Sequence, residues 1–378
     1  MTHPADAIGH WAQLQASSEI AARLREITRF ESVHVISMSQ IGFEGSTEIQ
    51  RKFGHQPFSE RLGALAAGHL AYELAFSLLM WTYEHSIKEN RPFRIGVAAG
   101  STVRAIVENF RFPEQFVDKL SINGVSIEVC PLAIGPIPET ASSAGFIASS
   151  FANRLRQSLE HGENKVEFVE LSQKIPNESG YHLKMKAEIQ KARNEDPFQK
   201  RKTESDKKKL RSFFESSKMR FDWILTGVGS VNSGQLNEHL ELRFTPEDRQ
   251  KIVTEAAGDI CSRIYTHSGE EMFKDDADKF VGISFAWMQY LSNVTADSGH
   301  RSHRICAVTG GEEKYPAIMA LVKNSTKELR GTDRENCLCL YNSLVTDELT
   351  ARRLVIDLHR LQGRNRRLAE RLDSPEVT

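Results

Sequence analysis

The chain has 378 residues and a formal net charge of −1, with 40% hydrophobic and 26% charged residues. That length suits one large domain or two ordinary ones, with a core that needs no staples. Its near-zero charge excludes a protein whose whole surface binds polyanions, so any nucleic-acid contact has to come from a local patch.

Met1–Gln15 has no continuous apolar core, so no export signal is expected at the start. Ile20–Leu24 with Ile27 recurs at helical spacing and leads into the β-branched run Val33–Met38. A polar loop follows over Ser46–Ser59. Leu62–Trp81 is nearly long enough to span a bilayer, but it contains His69, Tyr72, Glu73 and Ser77, and its apolar residues are mostly small. That composition predicts a buried helix in a soluble, cytoplasmic protein.

The next unit is sharper. Phe93–Ala98 reads as a buried strand, Ala99-Gly100-Ser101-Thr102 as a turn, and Val103–Phe110 as a helix. Ser126–Cys130 is a second strand, followed by a loop holding Pro131, Pro136 and Pro138 and a helix near Phe146–Leu159. The same grammar returns at Asp222–Leu225 before Thr226-Gly227-Val228-Gly229-Ser230. It returns again at Arg304–Val308 before Thr309-Gly310-Gly311-Glu312-Glu313-Lys314 and a helix over Tyr315–Val322. Cys337–Leu340 is predicted as the last strand. Thr346 is predicted to cap a helix over Leu349–Leu361, with Asp347 and Glu348 opposing its dipole. Strands alternating with helices through glycine turns predict a mostly parallel sheet covered on both faces.

Glu188–Lys218 stands apart. It is nearly free of aliphatic residues and holds Lys200-Arg201-Lys202 and Lys207-Lys208-Lys209. A basic arm for an acidic partner is one reading. Glu188, Glu195, Asp196, Glu204, Asp206 and Glu215 dilute its charge, which favours a solvated insertion.

The strongest chemical signal is the strand–Gly100-Ser101-Thr102–helix turn. Helix-terminal amides and two hydroxyls there make a cradle for phosphate or carboxylate, although either hydroxyl could simply cap the helix. Gly229 with Ser230, and Gly310 with Gly311, supply two further turns at strand ends, where open parallel sheets bind ligands. No complete dinucleotide fingerprint or Walker loop is present, so NAD and ATP are disfavoured and no cofactor is expected. Lys314 opens a helix, where a cation opposes the dipole, and this suggests a ligand anion as its partner. Asp259 lies between apolar residues, suited either to sugar hydroxyls or to a turn. His300 and His303 lack further spaced ligands, so no metal site is expected. The five cysteines, Cys130, Cys261, Cys306, Cys337 and Cys339, form no C-x-x-C pair and fit a reducing compartment.

In order, these landmarks resemble the effector-binding domain of the SorC family of bacterial sugar-sensing transcription regulators. The matching pieces are Ile95–Val103, Asp222–Ser230, Ala257-Gly258-Asp259-Ile260 through Ser268-Gly269, Val308–Lys314 with Ala317-Ile318, and Leu344–Glu348 with Ala351 and Leu354. The resemblance implies an α/β, Rossmann-like fold of the ribose-5-phosphate isomerase and glucosamine-phosphate deaminase type. It implies a domain over residues 20–361 that binds a sugar or sugar phosphate and oligomerises, with flanks at 1–19 and 362–378. By position, Gly100, Ser101 and Thr102 match the family's phosphate loop, Asp259 an acid facing the sugar, and Lys314 a phosphate contact. Gly229 and Ser230 match the second turn beside the pocket. The sensor-like pattern starts near Ile20 and leaves no room for the family's helix-turn-helix. The Ile134–Ala144 loop lacks the basic and amide residues some relatives use.

A sensor that signals through a separate DNA-binding or effector protein is the leading expectation, and a binding domain is favoured over an enzyme. One alternative is a sugar-phosphate isomerase or deaminase, with Asp259 or Glu313 as base and Lys314 as clamp. Another is a nucleic-acid or protein interaction module with a vestigial pocket. Leu354, Leu358 and Leu361 form an apolar stripe beside Arg352, Arg353, Arg360, Arg364, Arg366 and Arg367. That stripe predicts either an assembly face or an ordinary core contact.

Overall fold

The computed structural model describes residues 17–42, 56–85, 92–133, 143–159, 164–169, 221–231, 244–273, 283, 285–293, 304–325 and 340–372. In chain order its strands are β1 (Ser32–Ile36), β2 (Phe93–Val97), β3 (Ser126–Pro131), β4 (Lys165–Phe168), β5 (Trp223–Gly227), β6 (Gly229–Ser230), β7 (Ala256–Ile260), β8 (Arg263–Thr266), β9 (Arg304–Val308) and β10 (Ser343–Asp347). Seven of them form one sheet in the order β1-β10-β9-β5-β2-β3-β4. Every pairing in it is parallel, with Ile95 opposite both Trp223 and Val129, and Leu225 opposite Cys306. The fold is the α/β arrangement the alternation predicts.

Alternate residues of each central strand feed two separate cores, as period-2 side chains must. Ile224, Ile305, Ala307 and Leu344 pack on one face against helices at 17–27, Tyr315–Val322 and Glu348–Leu372. Trp223, Leu225, Cys306, Val308 and Val345 pack on the other, against helices Phe58–His85, Ser101–Asn109 and Ala144–Ser158. Helix Phe58–His85 has a stretch, Phe58–Tyr83, long and apolar enough to cross a membrane, but half of its most apolar part is buried in the protein. Leu70, Ala71, Leu74, Ala75 and Leu78 form its buried side.

That helix also carries Glu73 into the sheet. Glu73 Oε1 accepts from Ser32 Oγ at 2.5 Å and from His34 Nε2 at 2.9 Å, and its other oxygen faces Cys306 Sγ and Ser343 Oγ. Burial opposes its charge, but the His34 and Ser32 hydrogen bonds and the nearby charges of His34 and Arg304 together hold the carboxyl at about 2.

A smaller antiparallel sheet, β6-β7-β8, stands at the carboxyl end of β5. Its β7–β8 hairpin turns at Cys261 and Ser262, both at positive φ (52° and 63°), which matches a tight primed turn. Helix Pro246–Glu255 packs Ile252 beneath this sheet with Ile264 and Met272. Thr245 caps it by accepting from the Asp248 amide, and Pro246, Glu247 and Asp248 suit its first turn.

Four readings are revised or decided. The last strand among the described residues is Ser343–Asp347, which reaches the sheet through buried polar residues and only two aliphatic ones; of the predicted strand Cys337–Leu340 only Leu340 is described, and it is not in a strand. Asp347, not Thr346, caps the final helix, its Oδ1 accepting from the Thr350 amide at 2.9 Å. That helix runs to Leu372, beyond Leu361. Leu354 and Leu358 are fully buried, so the stripe is a core contact rather than an assembly face. The Glu188–Lys218 segment, Ile134–Thr140, His300, Arg301, His303, Cys337, Cys339 and the side chains of Arg364, Arg366 and Arg367 lie outside the described residues.

Candidate functional site

The sheet reverses its direction of growth between β2 and β5. From β2 the chain adds β3 and then β4 on one side; β5, β9 and β10 fill the other side toward β1. Open parallel sheets place their ligand crevice at the carboxyl ends of the strands flanking such a reversal. The three glycine turns named from sequence follow β2, β5 and β9, which are immediate neighbours. With strands about 4.8 Å apart, the outer two turns stand roughly 10 Å from each other.

At the first turn Gly100 adopts φ 123°, a conformation closed to most L-residues, and lets β2 swing directly into helix Ser101–Asn109. No side chain caps this helix. The hydroxyl of Thr102 is therefore not spent on capping, although Thr102 is buried. Ser101 Oγ lies 3.5 Å from Ser59 Oγ at the start of helix Phe58–His85. The uncapped amides and the Ser101 hydroxyl together can receive an anion.

At the second turn Gly229 and Ser230 pair with Asp259 and Gly258 of β7. A side chain at Gly229 would overlap the Asp259 carboxylate, so glycine is what allows that acid to lie against β6. Asp259 thus belongs to a strand and not to a turn. Burial pushes its carboxyl up to about 6, against the opposing pull of the Lys314 charge and a hydrogen bond from the Ser262 backbone.

Lys314 ends the short 3-10 turn Glu312–Lys314 that follows β9. Burial lowers its pKa, while Glu313 and Asp259 stabilise its charge. Asp259 and Lys314 therefore face one another electrostatically across this end of the sheet, each partly stripped of water.

The Gly310-Gly311 turn has a different part from the one its glycines suggest. The Gly311 amide donates to Asp347 Oδ2 at 2.9 Å and to Thr350 Oγ1 at 3.2 Å, so it is committed inside the protein. Asp347 is the residue that sequence reasoning undervalued. Beyond β9, β10 and β1 lies a cavity of about 630 Å³, walled by Met38, Phe58 and Tyr315 with Ser59, Glu313 and Asp347 among its polar groups. Of the residues given a functional role from sequence, Gly311 and Glu313 line it. One turn serves both regions: Gly311, Glu312 and Glu313 line the cavity while Lys314 interacts with Asp259.

Two basic residues lie near the cavity: Arg353, read from sequence only as part of the basic side of the last helix, and Arg61, which was not singled out. The Arg353 guanidinium lies 3.9 Å from the centroid of the Tyr315 ring, and Tyr315 donates to Asp357 Oδ2 at 2.8 Å. Arg61 is buried, its Nε and Nη2 have no hydrogen-bond partner among the described residues, and its guanidinium sits 6.0 Å from the Phe58 ring. An arginine beside a chain of small apolar residues was the one available signal for it. Among the described residues, no group of three or more His, Cys, Asp or Glu side chains is arranged to hold a metal ion.

Comparison with solved structures follows the same architecture. The chain is similar to the full-length sorbitol operon regulator SorC from Klebsiella pneumoniae, at TM-score 0.50 and 19% identity over 90% of this chain and 81% of that one. A transcriptional regulator from Streptococcus pneumoniae matches at TM-score 0.49 and 16% identity, over 94% and 99% of the two chains. A probable sor operon regulator from Shigella flexneri matches at TM-score 0.47 and 19% identity, over 91% and 99%. No family model matches the chain, and neither does any curated protein. At these identities the likeness is one of fold, and in fold this chain resembles the SorC-type regulators along nine-tenths of its length.

Proposed function

We propose that this chain is a ligand-sensing domain that binds a sugar phosphate at the β2–β5–β9 edge and signals through a partner protein in transcriptional regulation. The observation that carries the reading is the placement of an uncapped Gly100-Ser101-Thr102 helix start and the desolvated Lys314 on strands either side of β5. An anionic group between them would meet backbone amides and a hydroxyl on one side and a flexible cation on the other. Asp259, resting on Gly229 beside Ser230, would accept from sugar hydroxyls. The solved structure of similar fold is an operon regulator, which supports the regulatory setting. On this reading residues 20–361 form the sensor, residues 188–218 an insertion, and the protein works in the cytoplasm.

A calorimetric titration against hexose and pentose phosphates, with the matching neutral sugars as controls, tests the reading. Binding of a phosphorylated sugar that weakens about ten- to a hundredfold in Lys314→Ala supports it, the loss expected for one hydrogen bond to a charged group. Tight binding of the neutral sugar alone, or a variant that binds as well as the parent, overturns it.

A second reading rests on Asp259. A carboxyl pushed up to about 6 lies in the range useful to a general base near neutral pH. Turnover of a sugar phosphate that is lost in Asp259→Asn would make the chain an isomerase- or deaminase-like enzyme instead.

A further inference from the structure

Across the turn after β9 from the proposed phosphate site lies the cavity of about 630 Å³. Its volume falls within the roughly 300–1,000 Å³ of sites that take small organic molecules. Its charge is one-sided. Asp347, Glu312 and Glu313 line it, with Arg353 as the cation among the lining residues. Arg353 is already answered inside the protein, by the Tyr315 ring at 3.9 Å and by Asp357 Oδ2 at 3.9 Å. The acids stand at two depths. Asp347 is 1% exposed and bonds to the Gly311 and Thr350 backbone amides, so among the described residues no cation pairs with it. A buried carboxylate is costly where no opposite charge reaches it. Glu312 and Glu313 are exposed and directly follow Gly311, so one turn holds the outer acids beside the inner one. Apolar surface adjoins both. The Phe58 ring packs so closely on Gly311 that a side chain there would meet it at 3.3 Å, and Leu349 is 53% exposed on the same cavity wall.

We propose that this cavity binds a linear di- or polyamine, with one ammonium against Asp347 and a second against Glu312 and Glu313. The excess of carboxylates selects a cation, and their two depths select more than one positive group. Each Asp347 oxygen uses one lone pair on an amide and keeps another for an ammonium donor. The methylenes between the charges would lie on Phe58 and Leu349, and an ammonium passing the Phe58 face gains cation–π attraction. A bare metal ion does not suit a cavity of this size and apolar content, and no metal-holding group of acids, histidines and cysteines occurs among the described residues. The same acids would repel a phosphate. Lys314, at the end of the turn, interacts with Asp259 instead, so one turn separates a cation site from an anion site.

Calorimetric titration of the full chain with putrescine, spermidine and 1-aminobutane tests the proposal. Saturable one-to-one binding is expected, with putrescine about tenfold tighter than 1-aminobutane, the difference two exposed ion pairs supply. Glu312→Gln should weaken putrescine about two- to fivefold. In the double variant Glu312→Gln with Glu313→Gln, putrescine and 1-aminobutane should bind alike. Both changes are on exposed side chains, and Asp347 is left intact because its amide bonds hold the fold. A second measurement needs no variant: spermidine should raise the melting temperature of the parent in step with its measured affinity. Absence of saturable binding by either polyamine overturns the proposal. So does a double variant that keeps the preference for putrescine, or a parent that binds 1-aminobutane as tightly. Binding at many sites per chain, displaced equally by magnesium ions, overturns it in favour of surface screening. No sugar phosphate enters any arm, so this proposal and the sensor reading fail separately.

Discussion

Asp347 joins the end of β10 to the turn after β9: one carboxylate oxygen accepts from the Gly311 amide at 2.9 Å and the other from the Thr350 amide at 2.9 Å. Asp347 is almost fully buried; without it the Thr350 amide would lose this acceptor and the Gly311 amide would keep only its longer bond to Thr350 Oγ1. Asp347→Ala should therefore cost about 2–4 kcal/mol, the sum of two charge-assisted bonds discounted for relaxation. Asp347→Asn retains the shape but turns a donor toward one amide, and about 1–3 kcal/mol should be lost. Chemical denaturation of both variants measures this, and a loss below that of ordinary surface changes would mean the turn is held by other contacts.

The pair Asp259 and Lys314 gives a spectroscopic prediction. The Lys314 charge lowers the Asp259 pKa against the larger upward push of burial. Replacing the cation by Lys314→Met should move the Asp259 titration above about 6, followed by carbon-13 NMR of the carboxyl. A midpoint that stays in place or falls would show that the two groups do not face each other.

Asp259 should also be a stability liability. Its folded pKa is raised from 3.8 to about 6, so the native state favours the protonated acid. The penalty is absent below 3.8, grows as pH rises toward 6, and is complete above it. Asp259→Asn should stabilise the protein at neutral pH by up to about 3 kcal/mol and have little effect near pH 3, read from melting curves across pH. Stabilisation that does not depend on pH would point to packing instead of charge.

Glu73 acts in the opposite direction. Its pKa is depressed from 4.5 to about 2, so its contribution is present above 4.5 and is lost as pH falls through about 2. The side chain is 13% exposed, so solvent screening is modest, and about 3 kcal/mol rides on this group. Glu73→Gln should flatten the acid limb of the stability profile and lower stability at pH 7. An acid limb identical in the two proteins would assign it to other carboxylates.

What the sequence revealed follows from how each element is buried. Strands β2, β5 and β9 are apolar runs closed by glycine turns, a signal local enough to read directly, and it also located Gly100, Gly229 and Lys314. Strand β10 contributes Leu344 and Val345 between buried Ser343, Thr346 and Asp347, so its partners rather than its composition make it a strand. The β7–β8 hairpin was hidden because its turn uses Cys261 and Ser262 at positive φ in place of glycine. Helix Glu114–Asn123 was not read from the sequence, although Pro113 precedes it and Gly124, left-handed in the structure, follows it. The apolar period of Leu354 and Leu358 is the same for a core and for an interface, and only the fold could decide between them.

Helix Phe58–His85 touches the candidate site at one end and leaves Tyr72, Phe76, Met80 and Tyr83 exposed along the rest. Gly63 lies directly against the carbonyl of Thr102, so this long rod bears on the Gly100 turn at a backbone-to-backbone contact with no side chain to cushion it. From Gly63 to Tyr83 is about 30 Å at 1.5 Å per residue. A tilt of a few degrees at that fulcrum sweeps Tyr83 through about 2 Å, a gain built from lever length alone.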